Sequence, residues 1–221
     1  MALILNIETA TTNCSVSIAK TGQMLALEEN NSKGYAHAEL LHVYIKKVLE
    51  RANLKPVQLD AVAVSKGPGS YTGLRIGVSA AKGLCFAIGK PLIATDTLQS
   101  LALQVKNTPG AIVPMLDARR MEVYTAVFDN NHRQICPTEA KILDETSFKD
   151  LLDDGLVCFI GDGVEKAKSI ISHPNAMFIE HKFPSVQEMA MLSFEKYKSN
   201  DFEDVAYFEP YYLKEFMGNK L

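Results

Sequence analysis

The 221-residue chain has no surplus of positive charge: 23 Lys and Arg stand against 26 Asp and Glu, a formal net charge of −3. Proteins that hold nucleic acid unaided draw their affinity from neutralising phosphates, so this balance argues against a self-sufficient nucleic-acid binder. Cysteine is sparse. Cys14, Cys85, Cys136 and Cys158 form no Cys-x-x-Cys pair, and no secretory leader is expected ahead of the first strand, so reduced thiols of a cytoplasmic protein are expected. No apolar run reaches the length needed to span a bilayer. Nor is there a chelating histidine pair: His37 and His42 lie five residues apart, about 140° around a helix. His132, His173 and His181 fall in polar or turn-rich stretches and are expected to be solvated. No Ser or Cys stands in a recognisable nucleophile elbow with a paired His, which argues against a peptidase. Low-complexity tracts are absent.

What the chain does have is a Gly/Pro turn set between an apolar strand and a small-residue helix. Ala61-Val62-Ala63-Val64 has the length and β-branched content of a buried strand, and Gly67-Pro68-Gly69 permits a tight turn with unusual backbone angles. Ser70 or Thr72 can cap the helix that follows. Its first turn offers free N–H groups and a positive dipole end, which suits an anion such as a phosphate. Turn chemistry alone leaves a strand-to-helix turn with no ligand as the ordinary alternative, since glycine loops before helices are common.

Two passes through a similar pattern point to an internal duplication. Leu3 to Ile7 is apolar, Glu8 ends the run, and Cys14-Ser15-Val16-Ser17-Ile18 begins an alternating strand. Ile112 to Leu116 is likewise apolar, Asp117 ends it, and Val123-Tyr124-Thr125-Ala126-Val127 alternates again. Each pass returns to a strand closed by glycines, at Val64 to Gly69 and at Val157 to Gly163. A hairpin followed by strand–helix alternation predicts a mixed sheet with helices on its faces, an α/β architecture in each half. Turn formers at Lys106 to Gly110, after a helix over Thr97 to Val105, place the boundary there, giving an N-terminal lobe of residues 1–106 and a C-terminal lobe of 107–221. Further helices are predicted at Ser147 to Asp153, Val164 to Ile171 and Ser185 to Ser199, the last with Ser185 and Glu188 at capping-box spacing. In the tail, Phe202, Tyr207, Phe208, Tyr211, Tyr212 and Phe216 read as anchors that dock part of it on the body.

A helix over Tyr35 to Ala52 carries one broad apolar stripe that ordinary core packing explains. The helix over Ser70 to Ile88 is less ordinary. Gly73, Gly77, Ala80, Ala81, Gly83 and Ala87 make it rich in small residues, while large apolar residues point around much of its circumference. Each interior glycine costs on the order of 1 kcal/mol relative to Ala, so their presence implies close approach of another backbone. That backbone is either the chain's own or another subunit's.

The residue string is more specific than its turn chemistry. Ile4 to Thr11, His37-Ala38-Glu39-Leu40-Leu41, Gly67 to Gly77, Ala81-Lys82-Gly83-Leu84, Asp117 to Tyr124 and Pro210 to Lys214 resemble the TsaB family, also called YeaZ. That family is the smaller, non-catalytic relative of the TsaD subunit in bacterial tRNA threonylcarbamoyladenosine synthesis. Glu8 departs from it, standing where the family has Asp. The resemblance implies a two-lobed actin/sugar-kinase/Hsp70-like ATPase fold with a duplicated mixed sheet. It implies a cytoplasmic accessory subunit with no catalytic residues and no metal ligands of its own, paired with a TsaD-like catalytic subunit. Where TsaD carries a His-x-x-x-His pair, this chain reads Thr95 to Leu101. A TsaE-like ATPase would dock on the pair, tRNA would be reached through the complex, and the chain alone would form a homodimer. The implied pairing face comprises Leu41, Tyr44, Ile45, Tyr71, Leu74, Arg75, Gly77, Val78 and Ala81. Glu8, Thr9, Thr11, Thr12, Gly67, Gly69 and Ser70 resemble the phosphate-side loops of the fold, so ATP or ADP with magnesium is an expectation for the complex, though not for the isolated chain. The rival reading is an independent ATPase or small-molecule kinase of the same fold.

Overall fold

The computed structural model of the protein describes residues 1–31 and 37–214. The expected helix start at Tyr35 and the tail anchor Phe216 lie outside the described residues. The chain divides into two compact units, Met1–Ser100 with Pro184–Tyr211, and Leu101–Phe183 with Tyr212–Leu221.

The first unit is built on a five-stranded mixed sheet of order β3-β2-β1-β4-β5. Its strands are β1 (Leu3–Glu8), β2 (Cys14–Lys20), β3 (Gln23–Asn30), β4 (Ala61–Gly67) and β5 (Leu92–Asp96). β1 to β3 form an antiparallel meander, and β4 and β5 join it in parallel. Strand alternation sorts the core into two layers. Leu5, Ile7, Val62 and Val64 face α1 (His37–Arg51) and α2 (Tyr71–Ile88), meeting Leu41, Tyr44, Ile45, Val48, Val78 and Ala81. The intervening Ile4, Ala61 and Ala63 face α6 (Val186–Lys198), meeting Val186 and Met189. A polar pair seals this second layer, where the Ser193 hydroxyl donates to Asn6 Oδ1 at 2.6 Å.

The second unit repeats the plan. Its strands are β6 (Ala111–Asp117), β7 (Glu122–Phe128), β8 (Gln134–Ile142), β9 (Val157–Gly161) and β10 (Ala176–Glu180). Their order, β10-β9-β6-β7-β8, is the same arrangement with the same pairing senses, so the duplication expected from the sequence is present in the topology. Val113, Met115, Val123 and Phe159 pack with Leu152 of α4 (Lys149–Asp154) and with Val164 and Ala167 of α5 (Val164–Ile170). Phe159 stacks on Phe178 at 5.3 Å and takes Phe148 edge-on at 5.4 Å.

The division differs from the expected continuous lobes of 1–106 and 107–221. The chain passes from one unit to the other within α3 (Thr97–Ala102), and residues 184–211 return to the first unit. The return follows from α6, whose apolar stripe covers the otherwise open face of the first sheet. Beyond it, Val205 and Phe208 pack on the α1/α2 side, the Glu203 N–H pairs with the Leu92 carbonyl, and Lys82 Nζ donates to the carbonyls of Ala206 (3.2 Å) and Phe208 (2.8 Å). Phe202 lies 5.8 Å from Tyr197, whereas Tyr207 is 84% exposed and anchors nothing. The Ser185 cap is present, but its hydroxyl accepts from the Gln187 N–H at 3.2 Å, the second helical position rather than the third of a capping box.

Candidate functional site

The Gly/Pro turn forms where the sequence places it. Gly67 closes β4 at φ +109°, a conformation that favours glycine, and the Gly67–Pro68 peptide is cis. Ser70 caps α2 by accepting from the Gly73 N–H at 3.3 Å. Against this turn lies the loop that follows β1. A Cβ on Gly69 would stand 2.4 Å from the Ala10 carbonyl oxygen, one on Gly73 2.1 Å from the Thr9 carbonyl oxygen, and one on Gly77 2.2 Å from Thr9 Oγ1. The backbone that these glycines admit is therefore the chain's own. Gly83, by contrast, has nothing within 4 Å of its Cβ position.

Three of the groups expected to face a phosphate are engaged within the chain. The Gly67 N–H donates to Thr97 Oγ1 (3.1 Å), the Ser70 N–H to the Ala10 carbonyl (2.7 Å), and the Thr9 hydroxyl to the Gly73 carbonyl (2.8 Å). Thr11 is buried, and Thr12, half-buried, donates to Asn31 Oδ1. The Tyr211 N–H donates to the Lys66 carbonyl, so the chain also runs alongside Gly67.

Glu8 sits beneath this loop, fully buried. Its Oε1 accepts from the Ala10 N–H (2.6 Å) and the Ser65 hydroxyl (2.7 Å), and burial pushes the carboxyl up to about 7. Burial also holds the neighbouring Cys14 thiol up at about 11. His37 Nε2 lies 2.7 Å from the Thr11 carbonyl, and desolvation lowers its imidazole below the ordinary value. At the end of β5, Asp96 caps α3 by accepting from the Leu98 and Gln99 N–H groups, and burial raises its carboxyl.

The implied pairing residues separate into two groups. Leu41, Tyr44, Ile45, Leu74, Gly77, Val78 and Ala81 are buried within the first unit. Tyr71 is half-buried and Arg75 exposed, with the guanidinium 4.6 Å from the Tyr71 ring. The outward face of α2 carries other residues, which the sequence reading did not select: Ile76, Ser79, Ala80, Gly83 and Phe86, the last 87% exposed. Two grooves meet at Gly83. One of about 360 Å³ is lined by His42, Ile76, Ser79, Ala80, Gly83 and Leu84. The other, about 660 Å³, is lined by Lys82, Gly83, Phe86, Asp204, Val205 and Ala206. A count of small residues marks this helix but not which of its faces remains open.

In the second unit the matching turn is Gly161-Asp162-Gly163, with Gly161 at φ +133°. Asp162 Oδ1 accepts from the Asp117 N–H, and burial pushes its carboxyl up to about 6. Asp117 Oδ1 takes Lys166 Nζ at 2.7 Å. His132 and His173 are half-buried rather than solvated: His132 Nε2 lies 2.8 Å from the Val105 carbonyl, and His173 Nε2 lies 3.5 Å from Asp153, while His181 is exposed. Among the described residues no three His, Cys, Asp or Glu side chains cluster as a metal site, and no helix is long and apolar enough to cross a membrane.

Comparison with known proteins places this arrangement. The sequence model of the TsaD family, described as tRNA N6-adenosine threonylcarbamoyltransferase, matches residues 31–207. A Bacillus subtilis protein named tRNA threonylcarbamoyladenosine biosynthesis protein TsaB is 33% identical over 130 residues, 58% of this chain and 57% of that relative. An Escherichia coli protein of the same name is 32% identical over 134 residues, again covering 57% of its length. The chain thus spans little more than half the length of the curated relatives it matches. Among solved structures, YeaZ from Pseudomonas aeruginosa superposes with a TM-score of 0.80 at 23% identity, covering 96% of this chain and 100% of that one. The ethanolamine utilization protein EutJ from Carboxydothermus hydrogenoformans gives 0.52 at 10% identity, over 87% and 89%. The duplicated mixed sheet is the actin/sugar-kinase/Hsp70-like ATPase fold, and the chain belongs to the TsaD family, within it to the TsaB (YeaZ) type.

Proposed function

We propose that the chain is an accessory subunit in threonylcarbamoylation of tRNA, pairing through the outer face of α2 with a TsaD-like catalytic subunit that carries out the transfer. The observation that carries this reading is the exposed Phe86 beside the open Gly83, continued along the same face by the half-buried Ile76 and Ala80, on a helix whose inner face is fully used by its own unit. An uncovered Phe beside an open glycine suits the close packing of a second helix. The names of the TsaB relatives supply the pathway. The formal charge of −3 fits a subunit that reaches tRNA through its partner rather than alone. A cytoplasmic location and a docking TsaE-like ATPase go with this reading.

The test is reconstitution. The tagged chain is mixed with a TsaD-like protein and tRNA, and both complex size and threonylcarbamoyladenosine formation are followed. Phe86→Asp and Gly83→Leu should weaken pairing at least tenfold and lower modification in step, while the thermal unfolding of each isolated variant stays near that of the parent. If both variants pair and support modification normally, the face is wrong. Metal-dependent nucleotide hydrolysis by the isolated chain, unaffected by a partner, would favour the ATPase or kinase alternative.

A further inference from the structure

At Glu8, Oε1 takes the hydrogen bonds of the Ala10 N–H and the Ser65 hydroxyl, the Thr9 N–H adds a weaker backbone interaction with the carboxyl, and Oε2 is sealed from solvent with no hydrogen-bond partner of its own among the described residues. A carboxylate carries charge on both oxygens, so a dry, unpartnered Oε2 is costly. A carboxylic acid costs less in the same site, because it leaves only a neutral O–H at Oε2 and keeps Oε1 as the acceptor. The cover over this acid is the Thr9–Ala10 loop, fixed to α2 by the Thr9 hydroxyl on the Gly73 carbonyl and by the Ser70 N–H on the Ala10 carbonyl.

We propose that Glu8 is a proton-operated latch: as the neutral acid it keeps the Thr9–Ala10 loop seated on the first turns of α2, and loss of its proton favours lifting of that loop so that water reaches Oε2. Opening would break the two bonds to Ser70 and Gly73 and free the start of α2, the helix whose far face carries the proposed pairing strip. The latch stands on the geometry of the first unit and does not depend on what pairs there.

The groups around Glu8 leave it as the element that titrates near neutrality. From β2 comes Cys14, buried and held as the thiol. β4 contributes the uncharged Ser65. α2 contributes glycine backbone at residues 73 and 77, with its charged Arg75 exposed over Tyr71. α6, packed on β1, buries Val186, Met189, Ala190 and Ser193. Asp96 lies two strands away on β5 and is bonded to its own helix. His37 of α1 reaches the loop at the Thr11 carbonyl, and burial lowers its pKa, which keeps it neutral where Glu8, pushed up to about 7, loses its proton.

Amide hydrogen exchange on the folded chain between pH 5 and 8 tests this, each rate being divided by the intrinsic rate at that pH so that the opening equilibrium is read. The Ser70 and Ala10 amides should open more readily than the core Val64 amide. Their opening should increase by up to about tenfold per pH unit until it levels off near pH 7, as loss of one proton requires. Glu8→Gln, a neutral mimic, should abolish that dependence, and His37→Gln should keep it. Should Glu8→Gln fail to fold, Ser65→Ala, which removes a donor favouring the ionised form, should move the levelling-off to higher pH. The proposal is overturned if Ser70 exchanges only together with Val64, if its opening is independent of pH, if Glu8→Gln retains the dependence, if His37→Gln removes it, or if Ser65→Ala leaves the midpoint unmoved.

Discussion

Replacing Gly73 by Ala puts one methyl group 2.1 Å from the Thr9 carbonyl oxygen, well inside any contact that carbon and oxygen tolerate. The obstacle is backbone, and it is tethered: the Thr9 hydroxyl donates to Gly73, and the Ala10 N–H and carbonyl are bonded to Glu8 and Ser70. The loop must therefore shift by more than 1 Å, judged against an ordinary contact of roughly 3.5 Å, and give up one or two of these bonds. Overpacking costs roughly 1–3 kcal/mol, and each bond lost adds about 1 kcal/mol. Against this stands the helix-propensity gain of Gly→Ala, about 1 kcal/mol. The net is a destabilisation of roughly 1–4 kcal/mol, which for a chain of this size lowers Tm by roughly 3–15 °C. Gly83→Ala is the internal control: the same chemical change in the same helix meets open space, so propensity acts alone and Tm should rise by about 1–3 °C. Thermal unfolding by circular dichroism of the two variants, at equal concentration and pH, decides the matter. If Gly73→Ala is neutral or stabilising, or if the two variants shift Tm in the same direction, the account of why α2 tolerates its glycines is refuted.

Three further outcomes are expected. The Glu8 carboxyl, raised from 4.5 to about 7 by burial, contributes stability that is present below pH 4.5 and is lost as pH rises through 7, by roughly 3 kcal/mol in all; urea unfolding at pH 5 and pH 7.5 should show about 2 kcal/mol more loss in the parent than in Glu8→Gln, which keeps the smaller loss that the raised Asp162 gives to both. Lys82→Met leaves the Ala206 and Phe208 carbonyls without their donor, a loss of about 1–2 kcal/mol, and limited proteolysis should then cut near the exposed Tyr207 faster than in the parent; an unchanged rate would mean that Val205 and Phe208 alone hold the segment. Phe159→Ala removes the ring shared by Phe148 and Phe178 in the second unit, and its cost of about 3–5 kcal/mol should appear as loss of amide protection in β9 and β10 while β1 and β4 stay protected.

The sequence by itself determined the elements and their duplication. The continuous apolar runs at Leu3–Glu8 and Ala111–Asp117, the acid closing each run and the Ser70 cap of α2 are local signals, written in composition and turn chemistry that a single chain displays. β3, β8 and β10 were less legible: they are edge strands, exposed or half-buried over much of their length, and so carry weak apolar alternation. Only the tertiary structure decided what the signals meet. The glycines of α2 announced a close neighbour, but a missing Cβ says nothing of whose backbone fills the space; Thr9 and Ala10, about sixty residues away in sequence, turned out to fill it at positions 69, 73 and 77, while Gly83 was left open. The cap at Ser185 announced a helix, but not that its apolar face covers the sheet of the first unit, which is why the chain returns there after residue 183. Glu8 reads as a strand-ending acid in the sequence, and its proton affinity exists only because the loop, Ser65 and the sheet exclude water from it together. Periodicity and residue type are properties of one segment; burial, close approach and proton affinity belong to pairs of segments that only folding brings together.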